Sequence, residues 1–340
     1  LEEIVTKISR RTLLRAAPAL PLAAIITRPA SAAQYTYKFA TGQDPSHPVN
    51  IRGQQAIDRI REATGGRLDI HLFPANQLGS DTDLLAQVRN GAVEFFNEAA
   101  SILATLVPVA GIVNTGFAFA DYQQVWTAMD GPLGKYVRDQ IAKSGIITMS
   151  KSWNNGFRQI TTSSKPIKGP GDLAGVKLRV PAAPMLTSLF TALGAGPTPI
   201  NFNEVYTSLQ TKLVEGQENP LAIIATAKLY EVQKYCSMTS HVWDAYWILG
   251  NRRAFDRLPA DIQAVVLKEF DRAADEERAD TVKLGESLQA DLQAKGLQFI
   301  EVDKAAFRDA LGKTSFYADW RRSFGDEAWG LLEAQTGKLA

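Results

Sequence analysis

At 340 residues, with a hydrophobic fraction of 45%, the chain can bury one large or two ordinary cores. Its 37 basic residues stand against 36 acidic ones, and the net charge of +1 provides no long-range field for nucleic acid or an anionic membrane. A single cysteine, Cys236, excludes an intrachain disulfide and reads as a small buried hydrophobe, and three histidines, His47, His71 and His241, give no zinc-ligand spacing.

Taken in chain order, the first segment has paired arginines, Arg10 and Arg11, before the short apolar run APALPLAAII and an A-x-A pattern at Ala30 and Ala32. That run is too short and proline-broken to span a bilayer. Residues 1–32 resemble a Tat export signal, which implies a mature chain that starts near Ala33 in the periplasm of a Gram-negative bacterium.

YTYKFATG then reads as a first strand, and QDPSHPVN as a polar loop. IRGQQAIDRIREATGG carries Ile51, Ile57 and Ile60 at helical spacing and stops at Gly65–Gly66. RLDIHLFP is a second strand, in which His71 faces solvent or a satisfied partner. SDTDLLAQVRNG is a short helix capped by Ser80 and ended by Gly91. AVEFFNEA is a third strand. The alternation of strands and helices predicts a largely parallel sheet with helices on both faces.

The rhythm restarts after Trp153. GFRQITTSSKPI and DLAGVKLRVP read as strands, APMLTSLFTALGA as a helix, PTPIN as an extended piece and NEVYTSLQTKLVEG as a helix. From Pro259 a helical run of about nine turns follows. Ile262, Val266, Phe270 and Ala273 form one apolar stripe on it, Val282, Leu288 and Leu292 another, and DEERAD between them reads as a solvated face. The fold class is α/β, with two units joined by short crossovers that suit a hinge.

No G-x-S-x-G, H-E-x-x-H, P-loop or complete G-x-G-x-x-G occurs, so hydrolytic and nucleotide chemistry lack their usual residues. No catalytic residue, cofactor or metal is assigned. What stands out is a set at strand and helix ends in the second unit: Arg158, Arg179, Phe202 and Asn219. Ligands of open α/β sheets bind beyond the carboxyl ends of the strands. Two guanidinium forks and an amide there suit a carboxylate. A structural role stands beside each: Arg158 could pair with a nearby acid, and Asn219 could cap a turn before Pro220.

These segments resemble the DctP-type solute-binding proteins of TRAP transporters. The likeness rests on K-P-I, D-L-x-G-x-K-x-R-V, A-L-G-A-x-P, E-V-Y-x-x-L-Q and G-Q-E-N-P in series, with Q-L-G before a helix upstream. It covers nearly all of the chain after the export segment. The resemblance implies a two-lobed periplasmic binding protein fold with a hinge and a long lobe-bridging helix. Lobe I would comprise residues 33–156 plus about 245–284, and lobe II residues 157–244 plus about 285–340. It implies capture of a small organic acid anion and delivery to the small and large membrane subunits of a TRAP permease, by a non-enzymatic monomer. By the same resemblance Arg179 binds the ligand carboxylate, Asn219 lies beside it, Arg158 is a second ligand-facing arginine and Phe202 packs on the ligand.

GFAFA departs from the family's more usual P-F-x-F. Glu98 faces the expected ligand position, where it would repel a second carboxylate but accept from hydroxyls or an ammonium. Gln43 and His47 lie at the expected crevice rim, and Trp153 could stack on a ring face. His241 and Trp243 read as packing residues near the hinge. Such a set favours a sugar acid, a uronate or aldonate, with a C4-dicarboxylate or 2-keto acid next. A periplasmic enzyme acting on acidic sugars with Glu98 as base, or a ligand-sensing module for a sensor kinase, are the alternatives.

Overall fold

In the computed structural model of the chain, residues 33–339 are described, and the export-signal expectation lies outside them. Twelve strands are found among them: β1 (Tyr35–Thr41), β2 (Leu68–Phe73), β3 (Phe95–Ala99), β4 (Ile146–Thr148), β5 (Trp153–Phe157), β6 (Gln159–Thr162), β7 (Lys177–Val180), β8 (Gly196–Pro199), β9 (Gly216–Asn219), β10 (Tyr235–Ser237), β11 (Trp243–Asn251) and β12 (Gln298–Ile300). They form two sheets. The first has the order β2-β1-β3-β11-β4, with β5 also paired to β11; the second has the order β12-β10-β6-β9-β7-β8.

The expected α/β class is found, but the sheets are mixed rather than largely parallel. β1 runs parallel to β2 and β3, whereas β11 pairs antiparallel with β3, β4 and β5. In the second sheet β7 is parallel to β8 and β9, while β6 is antiparallel to β9 and β10. The antiparallel strands are those that carry the chain from one sheet to the other. β5 of the first sheet leads through Arg158 directly into β6 of the second, and β10 of the second leads back to β11 of the first. Arg158 and Val242 lie side by side on these two crossings, joined by a backbone hydrogen bond of 2.9 Å. Gly156, with φ of +114°, lets β5 turn there; a Cβ at this position would meet the Pro220 ring at 3.3 Å.

The helix after β1 starts at Pro48, with His47 as its cap, and buries Val49, Ala56, Ile57 and Ile60. Ile51, expected in that stripe, lies on the solvent side. Ser80 and Asp83 form a reciprocal capping box on the helix Asp81–Asn90, and Gly91 ends it in the left-handed conformation. The helix expected over 203–216 is shorter, Val205–Gln210: Lys212 takes a left-handed backbone conformation just after it, and Gly216 already begins β9.

The helix Ala260–Ala294 runs past both sheets. Ile262, Val266 and Phe270 pack with Phe39 and Phe95 of the first sheet, and Leu292 packs with Cys236 of the second and with Leu297, just before β12. Each of these apolar side chains stabilises the fold by about 1.5–3 kcal/mol. Its middle is not a solvated face throughout. Glu277 is fully buried, accepting from the Asn154 N–H (2.8 Å) and the Thr281 hydroxyl (2.7 Å). Arg278 pairs with Asp130, donates to the Ser152 carbonyl and stacks on Trp126. Charge alone marks this stretch as exposed; Asn154 of β5, with Ser152, Asp130 and Trp126, provides the partners that allow burial.

Candidate functional site

The carboxyl ends of β1, β3, β7 and β9 and the crossing at Arg158 converge on one cleft. Gln43, Glu98, Arg158, Arg179, Phe202 and Asn219 all line it. His47 and Trp153 do not. His47 is fully buried, its Nδ1 accepting from the Val49 N–H to cap the helix, and its ring meets Tyr246 edge-on. Burial pushes its pKa down to about 4, against a smaller effect of Asp44. Trp153 is also fully buried, packed with the first sheet's apolar residues behind the cleft wall, so it offers no ring face to a ligand.

The two arginines differ in their partners. Arg158 donates through Nη2 to Glu218 Oε1 (2.8 Å), the Glu218 carbonyl (2.8 Å) and Asn219 Oδ1 (3.0 Å), through Nε to Glu218 Oε2, and through Nη1 to Asp244 Oδ2 at 3.4 Å. Glu218 also accepts from His241 Nε2 at 3.0 Å, while His241 Nδ1 accepts from Thr239 Oγ1 at 2.8 Å. That bond pattern fits a neutral imidazole, and burial, opposed by Glu218, lowers the His241 pKa. Burial works against the Glu218 charge, but Arg158 and His241 overcome it and hold the carboxyl down at about 2. Asp244 accepts in addition from Ser101 Oγ (2.8 Å) and Asn114 Nδ2 (2.8 Å). The sequence alternative for Arg158, a pair with a nearby acid, is therefore met twice over.

Arg179 is next to last in β7 and is 1% exposed. Its Nε and Nη2 both donate to the Ile200 carbonyl, at 2.9 and 2.6 Å. That contact holds the guanidinium plane in place and leaves Nη1 turned to other acceptors. Among the described residues no carboxylate lies within ion-pair distance of it. Burial lowers its pKa to about 10, so it stays charged at neutral pH. Asn219 ends β9; its Nδ2 donates to Gln217 Oε1 (2.6 Å) and its Oδ1 accepts from Arg158. Phe202, half-buried, is fixed by its N–H on Asp81 Oδ2 at 3.3 Å.

On the opposite wall Glu98 is 3% exposed, with Oε1 on the Ala99 N–H. Burial first, then Asp81, raises its pKa well above the ordinary carboxyl value. Asp81, Asn97, Asn155 and Tyr246 also line the cleft and were not singled out in the sequence. Asp81 was hidden in a helix-capping motif. An acid or amide inside an apolar strand was the available signal for Asn97 in FFNEA and Asp244 in WDAYWIL.

The chain matches the family model for bacterial extracellular solute-binding proteins, family 7, named DctP, over residues 39–318. It belongs to the DctP family. It is 30% identical over 292 residues to the 2,3-diketo-L-gulonate-binding periplasmic protein YiaO of Escherichia coli, covering 86% of this chain and 88% of that one. Against one longer relative it spans 59% of the relative's length. Among solved structures, the sugar acid-binding protein DctPAm of Advenella mimigardefordensis, in complex with galactonate, superposes with a TM-score of 0.85 at 28% identity, over 89% of this chain and 98% of that one. A TRAP solute-binding protein of Sulfurospirillum deleyianum with bound succinate gives 0.84 at 27% identity, over 89% and 99%. The DctP family protein thus has the two-lobed binding-protein fold, with the helix Ala260–Ala294 spanning both sheets. No helix among the described residues is long and apolar enough to cross a membrane.

Proposed function

We propose that this DctP family protein works in the periplasm, where it captures a small organic acid anion and delivers it to the membrane subunits of a TRAP permease. The observation that carries this reading is Arg179: a buried, oriented guanidinium in a cleft, with no carboxylate of its own. A ligand carboxylate supplies the missing partner, and the fork geometry of arginine matches its two oxygens. Each sheet is the core of one lobe, and the lobes close on the ligand by motion at the crossings near Arg158 and Val242 and along the long helix. Closure removes water and strengthens the ion pair, while good hydrogen bonding offsets the desolvation of both charges.

Asn219 and Phe202 flank the carboxylate, and Arg158 acts on it from within its own ion pairs. Glu98 and Gln43 meet the rest of the ligand. A sugar acid, an aldonate or uronate, suits these polar groups best, ahead of a C4-dicarboxylate or 2-keto acid. The protein binds and releases its ligand unchanged, and it acts as a monomer.

The test is a thermal-shift panel of C4-dicarboxylates, 2-keto acids, aromatic acids, aldonates and uronates. An acid at about a hundred times its Kd adds roughly 2.7 kcal/mol of stability. A strong shift with one class supports capture. A bound acid recovered as a new compound after long incubation contradicts it in favour of an enzyme.

A further inference from the structure

The helix Asp81–Asn90 packs on β3 and β11 of the first sheet, and the segment 200–202 continues from β8 of the second. The two meet through residues 119 and 121 positions apart in the chain: Asn201 Nδ2 donates to Thr82 Oγ1 at 3.2 Å, and the Phe202 N–H donates to Asp81 Oδ2 at 3.3 Å. Asn201 stands at the N-cap of the short turn Phe202–Glu204, where an asparagine side chain ordinarily accepts from a backbone N–H of its own helix. It makes no such bond, and its amide turns to Thr82 instead. The Thr82 hydroxyl has one other neighbour of this kind, Ser80 Oγ at 3.2 Å, in the cap of its own helix.

Neither Thr82 nor Asn201 lines the cleft, but each is next in the chain to a residue that does, Asp81 and Phe202. On the other side of Asn201, the Ile200 carbonyl accepts from Arg179, and the Ile200 N–H is tied to the Val180 carbonyl at 3.0 Å. Three successive residues therefore orient Arg179, reach across to the helix of the first sheet, and form cleft wall. A hydrogen bond that joins the two lobes exists only while they are closed, so it stabilises the closed form and contributes nothing to the open one. Its effect falls on the rate of release rather than on the rate of encounter. Because it involves no ligand atom, it slows the release of every bound acid by the same factor.

We propose that Thr82 and Asn201 form a latch between the lobes that sets the residence time of the bound acid without touching it. This rests on the reading of lobe closure over an acid held by Arg179. Thr82 and Asn201 are positioning residues: they fix the segment 200–202 against the first lobe and, with it, the carbonyl that orients Arg179.

The experiment is stopped-flow tryptophan fluorescence with galactonate, galacturonate and succinate on the wild type, Thr82→Val, Thr82→Ser, Asn201→Ala, the double variant Thr82→Val/Asn201→Ala and Arg179→Ala. Thr82→Val and Asn201→Ala are each expected to speed release of every acid that binds by roughly five-fold and to leave the association rate unchanged. The double variant releases no faster than either single one, because both remove the same bond. Thr82→Ser keeps the hydroxyl and releases as the wild type does. Unchanged release in both single variants, with Arg179→Ala unable to bind, overturns the latch and leaves carboxylate capture standing. Additive acceleration in the double variant overturns it too, since the two side chains then act separately, as does an acceleration confined to one of several bound acids, which marks contact with the ligand. Full binding by Arg179→Ala, or no acid bound by the wild type, rejects the Arg179 reading and the latch that depends on it.

Discussion

The crossing between the sheets and the cleft face beside it treat buried polar groups in opposite ways. At the crossing, Arg158, Glu218, Asp244 and His241 satisfy one another through a network that reaches Ser101 and Asn114. On the cleft face, Arg179 has only a carbonyl, and Asn97 and Tyr246 have nothing. Both regions are equally buried, so burial alone does not separate them. What separates them is whether the protein supplies the partner. A satisfied network fixes the geometry of the hinge region, and an unsatisfied face is available to a ligand.

The largest effect expected from breaking this contrast is at Arg158. Arg158→Ala leaves Glu218 and Asp244 buried without their cation and destabilises the fold by roughly 3–5 kcal/mol, read from denaturant midpoints. Arg179→Ala, equally buried, removes a contact to one carbonyl and shifts the same midpoint by only about 1 kcal/mol. Equal losses of stability at the two sites would erase the distinction.

Two buried carboxyls sharpen the comparison. Glu218 has a guanidinium and sits at about 2; Glu277 has only the Asn154 N–H and the Thr281 hydroxyl, and burial outweighs them to raise it to about 7. The signs are opposite. Glu218 contributes stability that is present above its ordinary value of 4.5 and lost as pH falls toward 2. For Glu277, whose folded pKa is raised, stability is fully present below 4.5 and declines as pH rises toward 7. Glu277→Gln should remove that decline, on the order of 3 kcal/mol, in melting curves taken from pH 4.5 to 8. An unchanged pH profile would show that Glu277 stays ionised in the fold.

The smallest effect is local. Ser80 caps the helix whose first residue, Asp81, anchors Phe202. Ser80→Ala should lower stability by about 1 kcal/mol, seen as a small fall in melting temperature. A loss as large as that of Arg158→Ala would mean that this cap, and not the crossing network, holds the cleft.

Much of this was legible in the sequence. Arg179 beside a proline at the end of an apolar strand, and Asn219 in GQENP, both reach the cleft where strand-end reasoning puts them. The α/β class and the long helix were legible from periodicity. The mixed strand directions were not, because hydrophobic alternation carries no information on which strands pair. Arg158 was visible as a charge, but its partners Glu218 and Asp244 lie 60 and 86 positions away and meet it only across the crossings. His47 is expected at the rim from its loop position and Trp153 as a stacking face from its place before the second unit, whereas capping and packing turn them into the wall behind the cleft. Tyr246 reads as an ordinary member of an apolar strand, and the one sequence signal for Asn97 is an amide inside FFNEA; their place on the cleft wall shows only in three dimensions.

On the proposed reading, Arg179 waits for a carboxylate that the protein does not provide. The most direct measurement is calorimetric titration of the acid giving the largest thermal shift into the wild type and into Arg179→Ala, both checked for the same unfolding midpoint to within about 1 kcal/mol. The predicted result is a folded variant whose binding is weakened by roughly 3–5 kcal/mol, because the ligand charge is then buried unpaired. A folded Arg179→Ala protein that binds the acid as tightly as the wild type would contradict it.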